Sequence, residues 1–443
     1  MALKGLDIFK LSPKTNCKEC GNPTCMAFAM KVAQGSLSLD ACPHMSAEAL
    51  ATLGEATAPP MKTIKIGAGD AEYTLGGETV LFRHDKTFVS KSLFAVTTTA
   101  DNADAKIADA AKVDYERISE RMQVEVISVE YTGDKAAYLE AVKKAVATGK
   151  ALILEVSDAD VAKEAVELAK DAKPILNGAN ESNFAAMNEI ATANGVVLGV
   201  SGSSLDAIYD TVKALEEAGN KDLIIDVGAA SVKDAFANAV QIRRAALKDN
   251  DRSMGYPSIV NIAKLAPGDT RMQTALASLF VLKYGSIIVM DEMTYAQALP
   301  LYGLRQNIYT DPQKPMVVES GVYPINGAAA DAPCALTVDF ALTYFIISGE
   351  IERSGVPTNL LIPDAGGYSV LTSWAAGKFT AGSISKFIKE NDIESKISNR
   401  DLMIPGKVAV LKGELEENLP GWNIIVAPNE AVSLVKFLKE SYS

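Results

Sequence analysis

Histidine is nearly absent: the 443-residue chain holds only His44 and His84. So few imidazoles argue against a His-rich zinc or non-haem iron centre and against a Ser-His-Asp triad. Metal chemistry must then rest on sulfur, or on a cofactor that brings its own ligands. Basic tracts are missing as well. Asp plus Glu outnumber Lys plus Arg by 55 to 43, a formal charge of −12, which counts against nucleic acid and favours proteins or small molecules as partners. No run approaches the roughly 18–20 uncharged apolar residues of a membrane helix. The richest stretch, Ala335 to Gly349, contains Asp339 and is too short. The start, Met1 to Asp7, lacks the apolar stretch and cleavage site of a secretory signal. The expectation is a cytoplasmic protein with no membrane attachment.

Cysteine is scarce but concentrated. Four of the five lie within residues 17–42, and Cys334 stands alone. Without an export signal, such clustering reads as metal binding rather than disulfides. The spacing is C-x2-C-x4-C-x16-C, set by Cys17, Cys20, Cys25 and Cys42, with Pro43 following. Thiolates are soft anionic donors, and a cubane cluster needs four of them converging on a small volume. These four are read as the ligands of one 4Fe–4S cluster, with a structural zinc site as the alternative. Gly21 allows a tight turn, and Asn22 and Pro23 suit the N-cap and first residue of a helix running to about Ala33, with Gly35 as its stop.

Residues 51–60 are small and polar and end in a Pro pair, as an interdomain linker would. Glu72 to Phe82 alternates around Gly76-Gly77, a hairpin signal with a two-residue turn. From about residue 92 to 310, short apolar runs alternate with amphipathic stretches. Strands are expected at Phe94–Thr97, Val124–Val129, Ala151–Val156, Pro174–Leu176, Val196–Val200, Leu223–Val227, Ser258–Ile262 and Ser286–Met290. Eight such units fit a (β/α)8 TIM barrel. Beyond Thr310-Asp311-Pro312 a second α/β set begins, with strands expected at Met316–Glu319, Asn359–Ile362, Lys407–Leu411 and Asn423–Val426. Helices are expected at Ala335–Glu352, Tyr368–Ala376, Ser383–Glu390 and Glu430–Ser441. This reads as an open, doubly wound, Rossmann-like lobe. The fold class is therefore α/β in three parts: 1–58, 59–310 and 311–443.

Asn177, Asp226, Asn261 and Asp291 fall at the C-terminal ends of barrel strands, where this fold places active sites. They could read a pterin or another heterocycle, but helix caps and loop closures are the commoner role for such residues. In the last lobe three loops follow strands: Glu319–Gly327, Asp364–Thr372 and Ala427–Ala431. Open α/β sheets bind ligands there.

The cysteine block, the segment Tyr73 to His84, the barrel, the doubly wound lobe and the loop Ala365-Gly366-Gly367-Tyr368-Ser369-Val370 together resemble the large subunit of the corrinoid/iron–sulfur protein. The resemblance spans essentially the whole chain. It implies a methyl carrier whose cobalt atom, in a cobamide bound by the C-terminal lobe, takes a methyl group from methyltetrahydrofolate through a methyltransferase. The methyl group goes on to acetyl-CoA synthase/CO dehydrogenase in the reductive acetyl-CoA pathway. It implies a heterodimer with a small barrel subunit, and a cluster that returns an electron, supplied by a reductive activator or ferredoxin, when Co(I) has been oxidised. Carried over onto this chain, the corrinoid contacts are Thr337 and Thr343 on the helix after Cys334, Gly367, Tyr368, Ser369 and Val370 in the loop, and Ala431 at the last helix start. The D-x-H-x-x-G motif of many B12 methyltransferases is missing, so a base-off cobamide without a protein imidazole is implied. Cys334 reads as a small buried hydrophobe. An iron–sulfur oxidoreductase with a flavin- or nucleotide-binding lobe is the alternative, and a barrel acting as a pterin-dependent methyltransferase is a third reading.

Overall fold

The computed structural model describes residues 5–33, 37–46, 48–50, 53, 60–228, 231–311 and 316–442. Gly35, nearly all of the 51–60 linker and Pro312 lie outside them. The chain divides into two compact units: Met1–Val113 with Gln123–Tyr309, and Asp114–Met122 with Thr310–Ser443.

In the first unit, helices Gly5–Leu11 and Cys25–Ala33 pack around a small apolar cluster of Ile8, Phe28, Ala29, Val32, Leu39 and Met45. Phe28, Ala29 and Val32 share one helix face, and burying the Phe28 ring is worth roughly 1.5–3 kcal/mol. The cap lies two residues beyond the expected site. Thr24, not Asn22, accepts the Ala27 N–H at 3.0 Å, because Asn22 is buried and turned toward Cys20.

The hairpin also differs from expectation. Thr63–Ile66 pairs antiparallel with Tyr73–Gly76, and the turn lies at 67–72. Gly76 and Gly77 end the second strand, both with left-handed φ of 80° and 71°. Beyond them Glu78 accepts the N–H groups of Val89 and Ser90, so that stretch is tied to a loop.

The barrel follows the sequence reading. Leu93–Thr98, Val126–Glu130, Ala151–Glu155, Ile175–Ala179, Val197–Val200, Leu223–Asp226, Ser258–Asn261 and Ile287–Met290 pair in parallel, and the last closes on the first. The strands are buried along most of their length, which is why they read as unbroken apolar runs. Asp134, Asp158, Ser204, Ser231 and Asp269 cap the following helices with side-chain oxygens.

The second unit holds a five-stranded sheet. Its spatial order is Gly321–Ile325, Thr358–Ile362, Cys334–Leu336, Asp401–Ile404, Asn423–Val426, with the first strand antiparallel and the rest parallel. Alternate residues feed two cores. Leu336, Leu361, Leu402 and Ile424 face helices Ala381–Glu390 and Lys412–Asn418. Ala335, Leu360, Ile362 and Met403 face helices Ala341–Ser354 and Leu434–Tyr442. Both faces are thus covered.

Three expected elements change. Met316–Glu319 contributes only a bridge from Val317 to Phe340, and the edge strand starts at Gly321. Lys407–Leu411 belongs to a 3-10 turn, with Val410 71% exposed; the strand is Asp401–Ile404. Cys334–Leu336 is a strand, and the helix after it starts at Ala341, so Thr337 lies on the strand-to-helix connection and not on the helix. A hairpin unforeseen from sequence, Asp114–Arg117 with Glu120–Gln123, turns through left-handed Ile118 and Ser119. Its Arg117 guanidinium sits 4.8 Å from the Phe345 ring centre.

Candidate functional site

The four clustered cysteines are free thiols on one loop-and-helix framework. Cys17 and Cys20 lie on the loop between the two helices, Cys25 is the first residue of the second helix, and Cys42 follows the turn Leu39–Ala41. Lys14, Asn16, Lys18 and Gly21 all take left-handed φ, which coils the loop tightly. Asn16 and Cys25 bond reciprocally: the Cys25 N–H donates to Asn16 Oδ1 at 2.8 Å, and the Asn16 N–H donates to Cys25 Sγ at 3.4 Å. The Asn22 amide donates to the Cys20 carbonyl at 3.0 Å and lies 3.6 Å from Cys20 Sγ. N–H groups directed at thiolate sulfur stabilise its negative charge and help set a cluster's potential. Four free thiols, two of them with such donors, fit an iron–sulfur cluster. Asn16 escaped the sequence reading, although an Asn one residue before the first cysteine was a visible signal. His44 stays beside this loop, its Nε2 2.8 Å from Glu19 Oε2.

In the second unit, the four parallel strands run 2-1-3-4 in order of appearance, so the chain reverses direction of winding between Cys334–Leu336 and Asp401–Ile404. A cavity of about 360 Å³ opens there, at the carboxyl ends of these strands, where such sheets hold ligands. Its wall brings together Thr337, Thr343, Ser369, Val370 and Ala431, five of the seven residues singled out for this lobe. Gly367 and Tyr368 do not line it; they form the turn that delivers Ser369 and Val370. Apolar lining comes from Leu336, Ile346, Leu371, Met403, Ile404 and Leu434, none of them named in advance. Thr337 is 1% exposed, and its hydroxyl has no hydrogen-bond partner among the described residues. Leaving such a group unpaired costs about 1–3 kcal/mol, so a polar ligand atom is its natural complement. Two of its apolar lining residues, Ile346 and Leu371, are each 46% exposed, so the cavity keeps an open apolar edge.

Asp339, also missed as a site residue, holds the loop. Its buried carboxylate accepts the Gly367 N–H at 3.0 Å, where Gly366 and Gly367 take φ of 78° and 75°. Burial pushes its carboxyl up, against the opposing pull of the N–H groups of Gly367 and Ala365. Ser373 completes the turn by donating to the Ala365 carbonyl at 2.9 Å. Cys334 is fully buried, and burial pushes its thiol up to about 12, so it is an inert core residue.

On the barrel face the reading divides. Asn261 caps the next turn by accepting the Lys264 N–H, and Asp291 accepts the Gly268 N–H, so both play the ordinary structural part. Asn177 and Asp226 instead bond to each other. No helix among the described residues is long and apolar enough to cross a membrane.

A thiolate module, a parallel barrel and a switch-point cleft together define a cofactor protein of several parts. A family model described as CO dehydrogenase/acetyl-CoA synthase delta subunit matches residues 63–438, and one described as "Putative Fe-S cluster" matches residues 13–44. The corrinoid/iron–sulfur protein large subunit of Moorella thermoacetica is 39% identical over 99% of both chains. The acetyl-CoA decarbonylase/synthase complex subunit gamma of Methanopyrus kandleri is 32% identical over 99% of this chain and 98% of its own. Among solved structures, a dihydropteroate synthase from Thermus thermophilus in complex with 4-aminobenzoate covers 56% of this chain and 100% of that one at 14% identity and a TM-score of 0.38, too low to argue from. The chain belongs to the CO dehydrogenase/acetyl-CoA synthase delta subunit family, with the corrinoid/iron–sulfur protein large subunits.

Proposed function

We propose that this chain is a cytoplasmic methyl-group carrier with three working parts: a cluster module in residues 1–58, a barrel in 59–310 and a Rossmann-like cobamide-binding lobe in 311–443. A bound cobamide would supply the cobalt nucleophile for carrying a methyl group from methyltetrahydrofolate, by way of a separate methyltransferase, to acetyl-CoA synthase. Cys17, Cys20, Cys25 and Cys42 would hold a 4Fe–4S cluster that supplies single electrons for reductive reactivation, fed by an activator protein or ferredoxin. The residues of the lobe do the holding. Thr337, Thr343 and Ser369 would offer hydroxyls to the amides that fringe a corrin, the turn at Gly367-Tyr368 would present Ser369 and Val370 to it, and Ala431, the start of a helical turn, would complete the wall. No histidine lies in residues 310–443, so no imidazole of this lobe can coordinate the metal. A small barrel subunit would complete the heterodimer.

The observation that carries this reading is the switch-point cavity, with the unpartnered Thr337 hydroxyl in its wall and the half-exposed Ile346 and Leu371 in its lining. The test is the absorption spectrum and metal content of the purified protein. Corrin bands with cobalt near one per chain and about four irons are expected. Flavin bands without cobalt would replace this reading with the oxidoreductase one.

A further inference from the structure

Asn22 is a buried amide set in an otherwise wet loop. It is 3% exposed, while Lys14, Lys18 and Glu19 around it stand in water. The local chain dictates where its side chain goes. Gly21 takes a left-handed φ of 71°, and its N–H closes a turn onto the Lys18 carbonyl at 2.9 Å. Pro23 disfavours helical backbone at the residue before it. The side chain turns back toward Cys20, where Nδ2 donates to the carbonyl at 3.0 Å and stands 3.6 Å from Sγ. Asn22 Oδ1 has no hydrogen-bond partner among the described residues. An unpaired buried acceptor costs stability. The orientation that incurs this cost is the one that aims the amide's donor end at Cys20.

Asn16 makes a different kind of bond. Its Oδ1 accepts the Cys25 N–H at 2.8 Å, and it is the backbone N–H of Asn16 that reaches Cys25 Sγ at 3.4 Å. The side chain at 16 therefore shapes the loop, and its removal leaves the backbone donor in place. At Asn22 the side chain is itself the donor. Being buried, it holds a fixed dipole where water screens little, which strengthens its action on a nearby charge.

We propose that Asn22 sets the reduction potential of the cluster by donating a side-chain N–H to the Cys20 thiolate. This rests on the reading of Cys17, Cys20, Cys25 and Cys42 as cluster ligands. Reduction moves one electron from the donor protein onto the cluster, and no bond to the chain forms or breaks. The added negative charge spreads onto the thiolate sulfurs, so an N–H directed at Sγ bonds more strongly in the reduced state than in the oxidised one. Asn22 thereby raises the potential. The cluster fills more readily from its donor and passes the electron on with less driving force. Asn22 acts through Cys20 and is a positioning residue, not a ligand.

The test is a redox titration of the full-length protein and its Asn22→Leu variant, followed by the paramagnetic resonance of the reduced cluster, with iron counted in both. Leucine keeps the branched outline of the side chain, lacks the donor and keeps water from replacing it. The variant should hold about four irons per chain. Its reduction equilibrium constant should be at least about threefold less favourable, a fall of about 30 mV at about 59 mV per tenfold for one electron. Asn16→Ala controls for a loosened loop: its iron content should drop, and the potential of the clusters that form should stay within that threefold. A smaller fall or a rise in Asn22→Leu, or an equal fall in Asn16→Ala, overturns the proposal. If Asn22→Leu binds no iron, Asn22→Ala is judged by the same criteria. Loss of iron from both makes Asn22 an assembly residue and also overturns it. A natural protein without reducible iron removes the cluster reading, and this proposal with it, whereas an intact cluster with an unmoved potential removes this proposal alone.

Discussion

Removing the Asp339 carboxylate should loosen cobamide binding without dismantling the lobe. The residue is 5% exposed and accepts the N–H groups of Gly367, at 3.0 Å, and of Ala365. Both belong to the turn that presents Ser369 and Val370 to the cavity. Asp339→Ala orphans two N–H groups, each costing about 1–3 kcal/mol if it stays buried. The turn has left-handed glycines at 366 and 367, so it can relax toward solvent and shed part of that cost, giving up its bound position instead. If about 1.5–3 kcal/mol appears as lost affinity, cobamide binding weakens by roughly ten- to a hundredfold. Asp339→Asn keeps an acceptor oxygen and should stay within about threefold of the natural protein at neutral pH. The pH dependence separates the two charge states. Burial raises the Asp339 carboxyl in the folded lobe above its unfolded value, so the folded state binds the proton more tightly. Stability from this group is therefore greatest below the unfolded value and falls as pH rises through the raised one. Asp339→Asn has no proton to lose there, so the natural protein should gain on it as pH falls from about 7 toward about 4. Corrin absorbance retained after gel filtration measures the affinity, and urea unfolding across that range measures the linkage. Full cobamide retention by Asp339→Ala would refute the assignment of Asp339 as the residue that positions the loop.

Three further outcomes are expected. Cys25→Ser should drop iron well below about four per chain, and tightly bound zinc with no reducible iron in the natural protein would sink the cluster assignment. Mixed with methyltetrahydrofolate alone, the reduced protein should leave the donor intact until a methyltransferase is added, because Asn261 and Asp291 are committed to caps and loops and the barrel strand ends offer no histidine to protonate the donor; rapid demethylation without that enzyme would contradict this. Thr337→Ala and Thr343→Ala should each cost about 0.5–1.5 kcal/mol of cobamide affinity and Gly367→Leu more, while the paramagnetic resonance of the Co(II) form should show no splitting from a coordinated nitrogen; clear splitting would overturn the base-off assignment.

How much of this could be read from sequence follows from how many faces of each segment are buried. The barrel strands are covered on both sides, so runs such as Ala151-Leu152-Ile153-Leu154 are uniformly apolar, and charged helices separate them. Their period is hard to misread. The second unit was harder, because Cys334-Ala335-Leu336 leads with little polar interruption into a helix that itself begins apolar, and a three-residue strand is shorter than the pattern that would reveal it. Only Thr337 and Asp339 interrupt the run. Those two interruptions are informative. Each is a polar side chain buried to 5% exposure or less, and each must find a partner or a purpose. Asp339 finds two backbone N–H groups and fixes a turn, while Thr337 finds none within the described residues and faces a cavity. The sequence shows that both residues need an explanation, and only the fold shows that the explanations differ. In the barrel Asn261 is consumed by a cap, while the Asn177 amide joins Glu155 to Asp226. Polar residues set into apolar runs therefore mark where to look, and which of them keeps an unpaired atom beside a cavity is visible only in three dimensions.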